Sequence, residues 1–398
     1  MKQFMFICFL CLFGVFPIHA ERNLQDSLEI GLMTCEPGQE VYALYGHTAI
    51  RVKNHTSGED WVFNYGMFSF QQPHFLWRFV RGECDYQIGA VPFEYFAREY
   101  RERGSSVYQQ TLNLTTSEKN RLWLFLMKNM LPENRTYRYN FLYDNCTTRA
   151  RDVIEGVIEG KVLYATAKEE CTYRRILHEY TKEYPWNELG NDICLGAEAD
   201  QPITFRQEMF APFYMMHYAD QAVIVNDSLA TRTFVLSTDE VVKGLPVSEQ
   251  GTRYPSPALC AWLLLTTVIL LTLIENHFHK VFWWMDAVFM TIVGVIGIVV
   301  TFLFFFSSHP TVGSNWQIWV FNPLPLLAMP YVVWCAMKKR KTCYHAVNAC
   351  ILIFFILFSP IIPQKICSVI VPLALILLLR SCSYVVSYHK KTRNPNVK

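Results

Sequence analysis

The chain is predicted to fold as an α+β exported domain followed by an all-α membrane domain of five helices. Three observations carry this reading. The first residues have the form of an export signal, the composition turns sharply apolar near residue 258, and the cations between the apolar runs fall on alternate sides.

Lys2 supplies the positive start, residues 4–16 a short apolar run, and Pro17-Ile18-His19-Ala20 ends on a small residue. Residues 1–20 therefore read as a signal peptide cut after Ala20. The run is too short to span a bilayer comfortably. Cys11, after Phe9-Leu10, lies too early to be a lipid-attachment site. Residues 21–243 then form the exported domain, long enough for one core.

Within it, residues 41–52 and 61–68 read as strands, joined by a polar stretch containing Gly58. Pairing Val52 with Trp61 sets Ala49 opposite Asn64. The two-residue period then places His47, Ala49 and Asn64 on one face. Further strands are expected at 83–90 and 107–114. Thr115-Thr116-Ser117-Glu118 is a capping-box pattern, opening a helix with Leu122, Phe125 and Leu126 on one side. Ala150, Val153, Ile154, Val157 and Ile158 recur at helical spacing and stop at Gly160. Asp144 or Asn145 caps that helix, so Cys146 falls in its first turn. Residues 205–218, dense in Met, Phe and Tyr, read as core, or else as an adaptable apolar surface near acyl chains. Residues 244–257, with Pro246, Gly251, Pro255 and Pro257, form a linker.

The membrane domain occupies 258–388, with spans at 258–274, 281–306, 316–337, 344–358 and 366–386, and a tail at 389–398. Lys338-Lys339-Arg340-Lys341 separates spans three and four, and Lys390, Lys391, Arg393 and Lys398 follow span five. The loops 307–315 and 359–365 hold only Lys365. The positive-inside rule places the exported domain outside and the C-terminus in the cytoplasm. A net charge of +2 with no basic stripe excludes nucleic acid as a partner. No tight His/Cys ligand spacing appears on the exported side, so no metal is expected, nor a cofactor.

The exported segment carries Cys35, Cys84, Cys146, Cys171 and Cys194. Five thiols cannot all pair, so an oxidising compartment leaves one as a candidate nucleophile. Cys171 with Cys194 and Cys35 with Cys84 are sensible bridges, although spacing alone dictates neither. At a helix start, free amides and the helix dipole favour a Cys146 thiolate and can donate to an oxyanion. His47 is the best-placed base; His55 sits in a loop, and His74, His178 and His217 lack comparable context. Spacing alone explains His47 equally well as a core histidine. Asn64, on the same face, would orient the imidazole.

These residues carry a resemblance. A strand-borne histidine preceding a helix-borne Asn-Cys is similar to the circularly permuted papain-like fold of the lecithin:retinol acyltransferase group. The whole chain more closely resembles the lipoprotein N-acyltransferase family called Lnb. The matching motifs are Tyr45-Gly46-His47-Thr48-Ala49-Ile50-Arg51, Asn64-Tyr65-Gly66, Arg81-Gly82-Glu83-Cys84-Asp85-Tyr86, and the run from Tyr137 to Arg149 that contains Tyr143-Asp144-Asn145-Cys146. The match covers most of residues 28–160.

The resemblance implies an enzyme of the bacterial inner membrane working on its periplasmic side. It would move an acyl chain from a phospholipid donor, through a Cys146 thioester, to the α-amine of a diacylglyceryl-cysteine lipoprotein. Cys146, His47 and Asn64 would be catalytic. Arg51 and Arg149 would meet the donor phosphate, Asn145 would help steady the oxyanion, and Tyr143 would contact substrate. Structural ion pairs with Asp144 or Asp152 are the plainer role for the two arginines. A membrane-tethered cysteine amidase or peptidase acting on peptidoglycan would share the Cys-His pair but has little need of five spans. A non-enzymatic receptor would survive loss of either residue.

Overall fold

The computed structural model describes residues 27–165, 170–226, 228–245, 254–338 and 340–393. The expected signal peptide, the middle of the linker and the last residues of the tail lie outside these ranges.

The exported domain is built on a seven-stranded antiparallel sheet. Its strands are β1 (Leu28–Cys35), β2 (His47–Asn54), β3 (Asp60–Met67), β4 (Asp85–Pro92), β5 (Val107–Leu112), β6 (Thr136–Arg138) and β12 (Val235–Val242), in the order β12-β5-β1-β2-β3-β4-β6. The β2–β3 hairpin has the expected register, with Val52 opposite Trp61 and Ala49 opposite Asn64. β2 starts later than expected. Residues Val41–Ala43 form a 3-10 turn, and the chain enters the strand through Gly46 at φ +72°, where an added Cβ would sit 2.6 Å from the Cys35 carbonyl. Only glycine fits there.

Period-two alternation sorts the strand side chains onto two faces. Ile30, Leu32, Ile50, Val52, Phe63 and Ile88 pack under α3 (Thr116–Asn129) and α4 (Cys146–Val157). Met33, Ala49 and Val62 pack under α2 (Phe93–Arg103). The capping box of α3 forms as expected, but Phe125 faces solvent while Leu122 and Leu126 are buried. Smaller elements complete the domain. β10 (Val223–Val225) lies between β7 (Lys161–Leu163) and β11 (Thr231–Thr233), and β8 (Cys171–Thr172) pairs with β9 (Pro202–Ile203). Helices α5 (Tyr173–Thr181), α6 (Pro185–Cys194), α7 (Phe205–Glu208) and α8 (Pro212–Asp220) flank them. Met209, Phe210 and Met215 are buried, so residues 205–218 are core and not a surface for acyl chains.

The second half is helical: α9 (Pro257–His277), α10 (Trp283–Phe306), α11 (Leu324–Met337), α12 (Tyr344–Phe358) and α13 (Ile370–Arg393). Three segments, Pro257–His277, Trp283–Phe306 and Trp316–Met337, are long and apolar enough to cross a membrane, while Tyr344–Phe358 and Ile370–Val386 are shorter. The third is not one continuous helix. A 3-10 turn at Trp316–Trp319 precedes α11, and a Cβ on Gly297 of α10 would lie 2.3 Å from the Asn322 backbone. Small residues allow that close approach. Buried Arg380 of α13 grips Asp286 of α10 through Nε at 2.8 Å and Nη2 at 3.0 Å, and also bonds Glu275 and Thr272 of α9.

The two halves are docked. Ser307 Oγ donates to the Val80 carbonyl at 2.8 Å and the Ser308 amide to that of Arg81 at 2.9 Å, which ties the loop after α10 to α1 (Phe75–Arg81). Farther along, Asn315 Nδ2 donates to the Ile193 carbonyl at 2.7 Å, and Gln364 Nε2 to that of Leu195 at 2.9 Å. The loops that meet the domain are the two that hold a single fixed cation, Lys365, between them.

Candidate active site

Cys146 opens α4, and Asn145 caps it. Asn145 Oδ1 accepts from the amides of Thr147 and Thr148 at 2.8 and 2.9 Å, while Thr148 Oγ1 accepts from the Asn145 amide at 2.8 Å. The Asn145 carbonyl takes the Arg149 amide at 3.1 Å. Among the first-turn amides of the described residues, that of Cys146 itself is left for a ligand. Thr48 Oγ1 lies 3.0 Å from Thr147 Oγ1 and fastens the start of β2 to this turn.

That fastening brings His47 to the half-buried sulfur. His47 Nε2 lies 3.1 Å from Asn64 Oδ1, and Asn64 Nδ2 donates to the Val62 carbonyl at 3.3 Å. The second bond fixes the amide so that its oxygen faces the ring. In that arrangement Nε2 donates to Asn64, and the Cys146 sulfur lies close enough to the same ring to be lowered by its charge. Burial raises the Cys146 pKa, but the His47 charge and hydrogen bond, the Thr48 amide and Thr147 outweigh it, so the thiol lies below its ordinary value. Burial lowers the His47 pKa, yet the Cys146 charge and hydrogen bond, with Asn64, carry it above the ordinary imidazole value. The two shifts run in opposite directions, each group favouring the charged form of the other.

The sequence singled out Cys146, His47 and Asn64, and the structure brings them together. Three of the four residues expected to contact substrate have partners within the protein, and for Arg149 the partner is the Asp144 ion pair offered as its plainer role. Arg51 is committed to Asp60 at 2.5 and 2.7 Å, to Gln109 Oε1 at 2.8 Å, and lies 3.4 Å from the centre of the Phe93 ring. Arg149 holds Asp144 at 2.6 and 2.7 Å and covers the Tyr137 ring at 3.7 Å. Both guanidiniums already have planar carboxylate partners, the geometry that would bind phosphate. Asn145 Nδ2 donates to the Phe141 and Phe210 carbonyls, each at 2.9 Å, so it holds the helix and has no donor left for an oxyanion. Tyr143 is exposed and available.

The expected bridges are corrected, since Cys35, Cys84, Cys146, Cys171 and Cys194 are all free. Cys35 packs in the core under α2 and Cys84 in the core under α4, on opposite faces of the sheet. Cys171 lies in β8 with Sγ 3.8 Å from the Thr172 carbonyl, and Cys194 ends α6, where its carbonyl meets Asn315. Environment, not an odd count, distinguishes Cys146. Burial raises the thiols of Cys35, Cys84, Cys171 and Cys194.

Sequence reasoning missed Tyr137 and Tyr139. A Cβ placed on Gly66 would lie 3.6 Å from Cys146 Cβ, 4.0 Å from the Tyr137 hydroxyl and 4.0 Å from Tyr139 Cε2, so all four share one spot. The Tyr137 hydroxyl is buried and makes no hydrogen bond of ordinary geometry among the described residues, its nearest backbone group being that of Gly66. Burial first, then the Cys146 charge, raises its pKa and keeps it a proton donor. Its place in the motif ending at Cys146 was the available signal.

Among the described residues, one group brings three possible cation ligands together: His178, Glu188 and Asp192. Arg174 Nη1 and His178 Nε2 already engage Asp192 Oδ1 at 2.5 and 2.9 Å, and a guanidinium at that distance opposes a metal ion.

Comparison with known proteins bears on both halves. Residues 18–179 match the Lnb N-terminal periplasmic domain, and residues 248–392 match the Lnb transmembrane domain. No curated protein and no solved structure matches the chain.

Proposed function

The chain belongs to the Lnb family, a membrane protein with a periplasmic domain, and from that we propose that it is a lipoprotein N-acyltransferase of the bacterial inner membrane, with its C-terminus cytoplasmic. The observation that carries the reading is the buried-side chain of contacts from Cys146 to His47 to Asn64 at a capped helix start, in a domain fastened to membrane helices.

In the first half-reaction the Cys146 thiol proton passes to His47 Nδ1, and the sulfur attacks an ester carbonyl of a phospholipid. The Cys146 amide and the Tyr137 hydroxyl donate to the oxyanion, the role helix amides and phenols fill in preorganised sites. The intermediate collapses, the lysophospholipid oxygen takes the proton back from His47, and a thioester remains. In the second half the α-amine of a diacylglyceryl-cysteine attacks that thioester. An α-amine with pKa about 8 is partly neutral near pH 7 and is a competent nucleophile. His47 takes its excess proton and returns it to the departing Cys146 sulfur, leaving an amide on the lipoprotein. Water has to stay out, or the thioester hydrolyses; the stacked rings of Tyr139 and Tyr86, 4.1 Å apart beside Cys146, support such exclusion.

The test is the intact mass of a reporter lipoprotein co-expressed with the wild type or with Cys146→Ser. One added fatty-acyl mass with the wild type alone is the expected result. Unchanged mass with both, or muropeptide cleavage without hydroxylamine-labile lipid on Cys146, would replace the reading with the amidase.

A further inference from the structure

The helix α1 is short, starts at His74 in a left-handed conformation, and turns most of its apolar side chains outward. Leu76 is 75 % exposed and Trp77 56 %, with Phe79, Phe70, Tyr42 and Val41 also exposed nearby. Tyr42 and Phe70 both pack edge-on to Phe68, at 6.4 and 5.0 Å, and Phe70 packs on Phe75 of α1 at 5.1 Å, which sets these exposed groups beside the helix. A continuous patch of large apolar groups on a folded domain marks a surface that meets something apolar.

What it meets follows from where α1 is fastened. The Trp77 ring lies 5.1 Å from that of Phe302 in α10. Phe302 is one turn below the end of α10 at Phe306, which at helical rise is about 6 Å inside the span. Phe305 and Phe306, beyond it, face outward at 63 % and 66 % exposed. Trp77 is therefore level with side chains of a lipid-facing helix. His309 Nε2, 2.6 Å from the Phe79 carbonyl, and Ser307 hold α1 at that level.

From Phe79 on that face a stack of partly or wholly buried rings runs inward to the nucleophile. Phe79, Phe75, Phe68, Tyr86 and Tyr139 stack in file with successive centroid separations of 6.0, 5.8, 4.8 and 4.1 Å. Tyr139 ends it beside Cys146.

We propose that the apolar face of α1 with Val41, Tyr42 and Phe70 is immersed among the acyl chains of the outer leaflet of the membrane, and that it presents phospholipid to Cys146 along the aromatic file. It rests on the acyltransferase reading only for the purpose of the surface; immersion itself does not depend on the chemistry. Aromatic and leucine side chains at such a depth anchor interfacial helices, and no acidic residue of α1 opposes it.

The test uses the full chain in phospholipid vesicles, with p-benzoylphenylalanine in place of Leu76 or, as a second immersed position, Phe70. Leu236 on β12, 63 % exposed at the sheet edge, is the comparison site. Irradiation is expected to give phospholipid adducts by mass at 76 and 70, not at 236, in both wild-type and Cys146→Ser backgrounds. Adducts equal at all three positions, none at 76 and 70, or crosslinks there to protein would overturn the proposal. A double variant Leu76→Glu/Trp77→Glu is further expected to slow acyl transfer from vesicles about tenfold or more, with alkylation of Cys146 unchanged. Equal slowing of alkylation would mean a disturbed site and count against it. Lipid adducts with no transfer in the wild type would leave immersion standing and remove the acyltransferase.

Discussion

His47 Nε2 and Asn64 Oδ1, on neighbouring strands, are 3.1 Å apart, and this contact decides which imidazole nitrogen is turned to Cys146. Because the Asn64 amide is itself pinned to the Val62 carbonyl, the ring cannot exchange its two nitrogens without breaking a second bond. The orientation is built into the β2–β3 register and precedes any substrate.

Asn64→Ala removes that acceptor. A hydrogen bond to a charged group is worth about 1.5–3 kcal/mol, so kcat/KM for acyl transfer is expected to fall about 10–100-fold. The bond also helps raise the His47 pKa, so its loss moves the alkaline limb of the pH profile downward. Asn64→Gln, with the same amide on a longer stem, should recover part of the rate. An unmoved alkaline limb would show that the amide does not act through the ring.

The acid limb belongs to Cys146. With the thiol held below its ordinary value, the thiolate is present at lower pH than for a free cysteine and is lost as pH falls through the depressed value. The rate of Cys146 alkylation by iodoacetamide, followed by peptide mass, is expected to rise at a pH below the ordinary thiol range. In His47→Ala the lowering influences shrink and burial remains, so the rise shifts to higher pH. Identical profiles for the two proteins would separate the imidazole from the sulfur.

Tyr137→Phe tests the oxyanion donor. Loss of one such donor costs about 10²–10³ in kcat, while KM should change little because the hydroxyl acts on the intermediate. The wild-type hydroxyl makes at most a poorly aligned contact with the Gly66 backbone, so little is lost on removing it, and the melting temperature is expected to change little. A fall in melting temperature together with KM would assign Tyr137 to packing.

Much of this site was legible because the determinants are local. The β2–β3 register follows from a polar loop and two alternating strands, and the cap of α4 from Asn145 beside a helical apolar repeat. The losses are tertiary. Whether Arg51 is free depends on Asp60 and Gln109 arriving at its guanidinium, which no spacing states, whereas the tie of Arg149 to Asp144 was already the plainer role its neighbourhood offered. The cysteine arithmetic failed because Cys35 and Cys84 point into opposite faces of one sheet. The docking of α1 on α10 joins residues more than two hundred positions apart, and a seven-residue helix leaves little periodic signal.

Arg380 and Asp286 had a signal, being ionisable groups inside apolar runs, with Glu275 directly after another. All three are about 5 % exposed, and the guanidinium is shared between carboxylates of α9 and α10. Removing one partner of a buried pair costs about 3–5 kcal/mol because the others keep uncompensated charge. Arg380→Ala is therefore expected to lower the unfolding midpoint in detergent sharply. Replacing all three together by Met, Leu and Leu removes the stranded charges and should restore most of the midpoint. The cluster lies at the end of the helices away from the docked loops, since Glu275 closes α9 and Asp286 opens α10. Protein that folds with the triple replacement should then acylate at the wild-type rate. A triple variant that is stable but inactive would give the cluster a part in the reaction beyond holding three helices together.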